Sequence, residues 1–165
     1  MSRVAQFMHV SAERFSEDWR ECFPGLRLPE LPELPTRATA GSAGYDFFSP
    51  LSFMLQPGGS IRIPTGVRAR IDRGWVLMLF PRSGLGFKYR LQLNNTVGIV
   101  DSDYFGARNE GHIFVKLTNA GDRTLCVGEG EAFAQGVFLP FGLTLDDDAD
   151  GVRTGGFGST GSAKQ

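Results

Sequence analysis

Three side chains with distinct chemistry lie close together in the run Asn94-Asn95-Thr96-Val97-Gly98-Ile99-Val100-Asp101-Ser102-Asp103-Tyr104-Phe105-Gly106: the amide of Asn95, the carboxylate of Asp101 and the phenol of Tyr104. Val97, Ile99, Tyr104 and Phe105 favour extended backbone, while Gly98 and Gly106 mark turns or close approach. The run predicts a strand, a tight reversal and a second strand. Such a hairpin offers main-chain N–H and C=O groups to a flat polar ring, with Asp101 and Tyr104 where a sugar would follow. A carboxylate at that point is suited to orient and deprotonate a water. The plainer alternative is an ordinary hairpin with a solvated Asp-Ser-Asp turn.

Arg82-Ser83-Gly84 follows the apolar run Trp75 to Phe80. An arginine, a hydroxyl and a small residue at a strand end suit a phosphate cradle, with backbone N–H groups exposed at the turn. The plainer alternative is an arginine facing solvent. Gly156-Phe157-Gly158-Ser159-Thr160-Gly161 spells G-x-G-x-x-G, but a dinucleotide fingerprint must open a helix inside a βαβ unit, and here the chain is nearly at its end. A Gly-rich arm carrying hydroxyls can instead wrap N–H groups around a terminal phosphate, with Arg153 supplying a fork of donors and Phe157 a face to stack on a base. Asp46 and Gln135 are unremarkable singly.

Five stretches in order resemble the motifs of the trimeric dUTPase family. Ala40 to Phe47 is similar to the first, Pro81 to Gly86 to the second and Gly98 to Gly106 to the third. Gly130 to Gln135 is similar to the fourth and Arg153 to Gly161 to the fifth. The resemblance runs from about Leu34 to the C-terminus. It implies hydrolysis of dUTP to dUMP and pyrophosphate by water attack on the α-phosphate, with Asp101 activating the water. It implies substrate contacts from Arg82, Ser83 and Gly84 at the phosphates, and from Asn95, Gly98, Val100 and Tyr104 at the nucleoside. Tyr104 would pack under the deoxyribose and leave no room for a 2′-hydroxyl. Gln135, Arg153, Phe157, Gly158, Ser159 and Thr160 would complete the substrate contacts. Asp46 and Gln135 would reach Mg²⁺ through water only, a mode that suits an ion that dehydrates reluctantly. Two departures stand out: Pro81 replaces the leading glycine of the second motif, and Arg153 is one residue closer to Phe157 than the family's arm arginine.

The elements that must position these groups are mostly short strands. Val4 to Val10 predicts a first strand, and Ser11 an N-cap for a helix to Cys22 with Phe15, Trp19 and Phe23 as its apolar stripe. Pro24-Gly25 ends that helix. Beyond Thr36 helical periodicity is almost absent. Strands are expected at Tyr45–Phe48, Ser60–Ile63, Val67–Ile71, Trp75–Phe80, Leu91–Leu93, His112–Asn119, Thr124–Val127 and Ala132–Leu139. With 22 glycines, this pattern argues for a closed or sandwiched all-β fold. The resemblance specifies a distorted jelly-roll β-barrel with a short N-terminal helix and a flexible C-terminal arm. The expected divisions are an N-terminal extension (1–30), a core (31–145), and an acidic linker with the Gly-rich arm (146–165).

The chain of 165 residues is one domain's worth, with 41% hydrophobic and 12% aromatic residues to build a core. With 17 basic and 18 acidic residues, no global field draws it to nucleic acid or membrane. No apolar run is long enough for a membrane-spanning helix. Cys22 and Cys126 read as reduced thiols of a cytoplasmic protein, and His9 with His112 do not make a zinc site. The resemblance implies a homotrimer with shared sites, because five dispersed motifs are hard to bring together within one subunit. Two other readings stay open. One is a regulatory protein of this fold with reduced catalysis, for which the N-terminal helix and the long segment Ala107 to Gly111 could present a partner surface. The other is a dCTP deaminase, disfavoured because Lys116 stands where that branch carries its glutamate.

Overall fold

In a computed structural model, residues 2–151 and 155 are described. The order of elements is β1 (Ala5–His9), α1 (Ala12–Cys22), β2 (Tyr45–Phe48), β3 (Phe53–Leu55), β4 (Ser60–Pro64), β5 (Val67–Ile71), β6 (Trp75–Pro81), α2 (Ser83–Tyr89), β7 (Leu91–Leu93), β8 (Gly98–Val100), a 3-10 helix (Ser102–Gly106), β9 (Phe114–Asn119), β10 (Leu125–Val127) and β11 (Ala132–Pro140). The strands alternate buried and exposed residues, as in Leu125, Cys126 and Val127, and their inward side chains meet in one core. That core includes Phe47, Ile63, Leu77, Leu79, Ile113, Leu117 and Phe133. The all-β expectation holds, but the strands do not close into a barrel. They form four small sheets, ordered β1-β5, β3-β10, β2-β11-β6-β8 and β4-β9-β7.

The N-terminal segment is part of this body. β1 pairs antiparallel with β5 from Ala5↔Ile71 to His9↔Val67. Ser11 caps α1 as expected, accepting the Arg14 N–H at 3.1 Å. Phe15 and Trp19 are buried with Val10 in a second, smaller cluster, and Trp19 lies 4.7 Å from the Phe23 ring. Each such burial contributes about 1.5–3 kcal/mol, which is why an 11-residue helix holds without strong propensity.

Two expectations around the candidate site are corrected. Asn94 to Gly106 does not form a hairpin. β7 pairs with β9 and β8 with β6, so the intervening turn carries the chain from one sheet to another, helped by Thr96 at φ 65°. After β8 the chain winds into the 3-10 helix rather than a second strand. The exposed turn expected at Arg82-Ser83-Gly84 is the start of α2, with Arg82 as its N-cap.

Candidate active site

One sheet gathers four of the five motif-like stretches. In the order β2-β11-β6-β8, β2 carries Asp46, β11 carries Gln135, β6 runs into Arg82, and β8 is Gly98–Val100 itself. Gln135 stands opposite Asp46 on one side and Phe80 on the other. Its Nε2 donates to the Pro81 carbonyl at 3.1 Å. Arg82 Nε lies 3.3 Å from Asp46 Oδ1, an ion pair that is half-exposed on the arginine side. Residues far apart in sequence thus form one polar cluster at the end of β6, with Ser83 and Gly84 in the first turn of α2 beside it.

Gly44 is required by that cluster. A Cβ there would sit 2.6 Å from Gln135 Oε1, inside van der Waals contact. The bare glycine therefore lets the Gln135 side chain lie against the backbone of the first motif. Gly44 fell within the stretch singled out from the sequence, but its reason is visible only once Gln135 is seen across it.

Gly98–Val100 lie along the middle of β6, and Asp101 follows them toward its Trp75 end. β8 pairs with β6 from Gly98↔Leu79 to Val100↔Leu77 and is the last strand of its sheet. Its outer edge carries no strand partner among the described residues. Gly98 and Val100 are buried, and Ile99 between them is exposed. Asp101 is exposed and precedes the 3-10 helix, where the Tyr104 N–H donates to the Asp101 carbonyl at 3.2 Å.

Tyr104 is not an open ring awaiting a sugar. It is 1% exposed, its hydroxyl donates to the His112 carbonyl at 2.7 Å, and it accepts from Asn109 Nδ2 at 2.7 Å. An aromatic preceded by Asp101-Ser102-Asp103 gave no sign of this burial, which depends on the fold of residues 107–112. Asn95 is exposed and borders a cleft of about 540 Å³ with Asn94, Asn109, Phe114, Lys116, Arg62, Asp18 and Glu21. Arg62 stacks over Phe114 at 4.4 Å and pairs with Glu21 at 2.9 Å.

The residues that sequence reasoning missed are Asp18, Asn109, Glu110 and His112. Glu110 accepts from both the N–H and the hydroxyl of Ser11, at 2.8 and 2.6 Å. The Ser11 hydroxyl bond is the main influence holding the Glu110 carboxyl below its usual range, against a smaller opposing effect of burial and with help from Arg68 and Arg14. Gly66 N–H donates to His112 Nε2 at 2.8 Å, leaving Nδ1 to carry the proton that meets Asp18 Oδ2 at 2.5 Å. Arg14 grips the same carboxylate with two bonds. Burial pushes the Asp18 carboxyl up, but His112 and Arg14 together outweigh it and hold it below its usual range. Arg153, Phe157, Gly158, Ser159 and Thr160 lie outside the described residues.

Among the described residues, no cluster of three or more His, Cys, Asp or Glu is arranged to hold a metal. The hard oxygen donors beside Arg82 are the Asp46 carboxylate and the Gln135 amide, facing each other across β2 and β11. No described helix is long and apolar enough to cross a membrane.

A family model described as dUTPase matches residues 32–161. A deoxyuridine 5′-triphosphate nucleotidohydrolase of Lactococcus lactis is 42% identical over 125 residues, covering 73% of this chain and 83% of the relative. One of Hahella chejuensis is 43% identical over 129 residues, covering 73% and 82%. The crystal structure of a dUTPase from Streptococcus mutans superimposes with a TM-score of 0.62 at 36% identity, covering 84% of this chain and 97% of that one. A Staphylococcus bacteriophage 80alpha dUTPase with dUPNHPP has a TM-score of 0.65 at 21% identity, covering 97% and 99%, a likeness of fold.

Proposed function

The chain belongs to the dUTPase family and hydrolyses dUTP, and from that premise we propose that Asp101 activates the attacking water while Arg82, Ser83 and Gly84 hold the phosphates. Water attacks the α-phosphorus, the bond to the bridging oxygen breaks, and pyrophosphate leaves dUMP behind. The transition state of such a transfer is loose, so the protein's task is positioning and charge stabilisation rather than strong basicity. Asp101, exposed at the end of β8, orients the water and accepts its proton. The outer edge of Gly98–Val100, which has no strand partner among the described residues, would bond the uracil ring through N–H and C=O groups. The Asn95 amide can present both a donor and an acceptor to that ring. Tyr104 supports this segment from beneath. Arg153, Ser159 and Thr160 close on the γ-phosphate and Phe157 with Gly158 on the base, as the arm after a core of residues 31–145.

The Asp46 carboxylate and the Gln135 amide fit a Mg²⁺ ion held through water, because both are hard oxygen donors and neither is part of a tight cage. When bound with the triphosphate, such an ion would neutralise charge on the phosphate oxygens. The chain's own part is to fix these two donors: β2 and β11 hold them opposite each other, and Gly44 gives Gln135 its room.

The observation that carries the reading is the meeting of Asp46, Gln135 and Arg82 from three separate stretches beside the start of α2. Asp101 stands at the far end of β6 from this cluster, which supports a homotrimer in which each site combines Asp101 of one subunit with the phosphate cluster of another. Beyond β11, exposed Phe141, Leu143 and Leu145 recur at every second residue, a pattern suited to cover by a neighbouring chain. Work on a free nucleotide is in keeping with a cytoplasmic protein. Pyrophosphate release from dUTP tests the reading, with dCTP, UTP and dTTP alongside. Release from dUTP far above the other three is expected. Ammonia from dCTP, or no turnover of dUTP, would overturn it.

A further inference from the structure

β1 and α1 precede the part of the chain that matches the family, yet α1 is keyed by polar contacts to the segment that follows Asp101. We propose that α1 is a positioning element for residues 101–106, acting through Glu110 and His112, an inference that rests on the assignment of Asp101 to the reacting end of the substrate.

The connection is continuous. Ser11 at the start of α1 gives both its N–H and its hydroxyl to the two oxygens of Glu110. One turn or two further along, Asp18 binds the His112 ring, which is fully buried. Between these anchors the chain must fold sharply: Glu110 and Gly111 have φ of 60° and 69°. A Cβ at Gly111 would meet the Tyr104 carbonyl at 2.7 Å and Phe105 Cα at 2.8 Å, so this loop lies directly on the backbone of the 3-10 helix. Asn109 then bonds the Tyr104 hydroxyl, which bonds the His112 carbonyl. From the opposite side Arg68 donates to the Phe105 carbonyl at 2.7 Å and stacks on the Phe105 ring at 3.7 Å. Its other nitrogen lies 3.8 Å from Glu110. Apart from the longer Arg68–Glu110 pair, the links are hydrogen bonds of 2.5–2.8 Å between partly or fully buried groups. A helix that only covered apolar surface would need Phe15 and Trp19, but not Ser11 and Asp18 bonded to Glu110 and His112.

Segment 107–111 therefore finds its partner within the chain. Displacing a catalytic group by about 1 Å can cost about 10²-fold in rate, so loosening this clamp should act on turnover more than on binding.

The test uses the full chain and steady-state kinetics with dUTP. Glu110→Ala is expected to lower kcat by roughly tenfold or more while KM changes by less than about threefold. Glu110→Gln, which still accepts from the Ser11 N–H, should recover kcat to within about threefold of wild type. Glu13→Ala, on the same helix, should leave both constants unchanged. If Glu110→Ala yields no folded protein, Ser11→Ala against Ser11→Thr gives the same comparison, the hydroxyl being restored in the second. Variants with a lower melting temperature but wild-type kcat well below it would overturn the proposal and leave α1 a cover for the core. A wild-type protein inactive on dUTP would instead sink the assignment of the reaction, before any variant is compared.

Discussion

Asp101 and Arg82 stand at opposite ends of β6. Asp101 follows Val100, which pairs with Leu77, whereas Arg82 lies beyond Pro81 at the far end of the same strand. At about 3.4 Å per residue the two are roughly 17–20 Å apart along the sheet. Asp101 is assigned to the water that attacks the α-phosphorus and Arg82 to the phosphates, and no side chain of either kind spans that distance. This separation is in keeping with the proposal that the two halves of the site come from different subunits.

Gly44→Ala should damage the phosphate end without disturbing the fold. The added methyl would press on Gln135 Oε1, the tip of a flexible side chain, so Gln135 moves and its bond to the Pro81 carbonyl is lost. Losing one charge-assisted contact to the substrate or its ion is worth about 1.5–3 kcal/mol, so kcat/KM for dUTP should fall by tenfold or more. Melting temperature should be nearly unchanged. Kinetics identical to wild type would mean that Gln135 has no part in the site.

Tyr104→Phe separates support from sugar selection. It removes the hydroxyl that joins Asn109 to the His112 carbonyl and should cost about 1–3 kcal/mol in urea unfolding. The ring remains, so the ratio of kcat/KM for dUTP to that for UTP should hold. A large change in that ratio would show that the buried hydroxyl acts on sugar selection. Tyr104→Ala is a poor substitute, since emptying a buried aromatic site costs about 3–5 kcal/mol by itself.

Acid should release α1. The Asp18 and Glu110 carboxyls are both held below their usual range in the folded state. Their contribution is complete above the unfolded value of about 4 and is lost as pH falls through the depressed folded values. Asp18→Asn should therefore be less stable than wild type near neutrality, and the two melting curves should converge below about pH 4. Parallel curves from pH 7 to pH 3 would show that the Asp18 charge does not contribute.

The local rules of the chain were legible where a few residues decide them. Ser11 caps α1, and the apolar alternation of β5, β9 and β11 marks those strands within a residue or two. β3 was missed because Phe53-Met54-Leu55 is apolar throughout and shows no alternation, unlike the equally short Leu91-Gln92-Leu93. α2 was missed because Gly84 and Gly86 each weaken a helix by about 1 kcal/mol. That helix forms because Leu85 and Tyr89 pack on the core as the chain passes from β6 to β7. The motif residues were recognisable as types, but not the pairing of Asp46 with Gln135 nor the bond of Asp18 to His112, since no local pattern encodes contacts across such separations. The hairpin failed for the same reason: β7 and β8 each found a more distant strand.

Mixing two inactive variants tests the shared site most directly. Asp101→Asn should lose about 10²–10⁴-fold in turnover through loss of the general base. Arg82→Ala, lesioned at the other end of β6, should be severely impaired as well. If each site draws Asp101 from one subunit and Arg82 from another, equal mixtures that have exchanged subunits should regain about a quarter of wild-type turnover, since that share of sites would carry both intact residues. Mixtures that remain as inactive as their parents, with heteromers demonstrated by mass spectrometry, would contradict a site built between subunits.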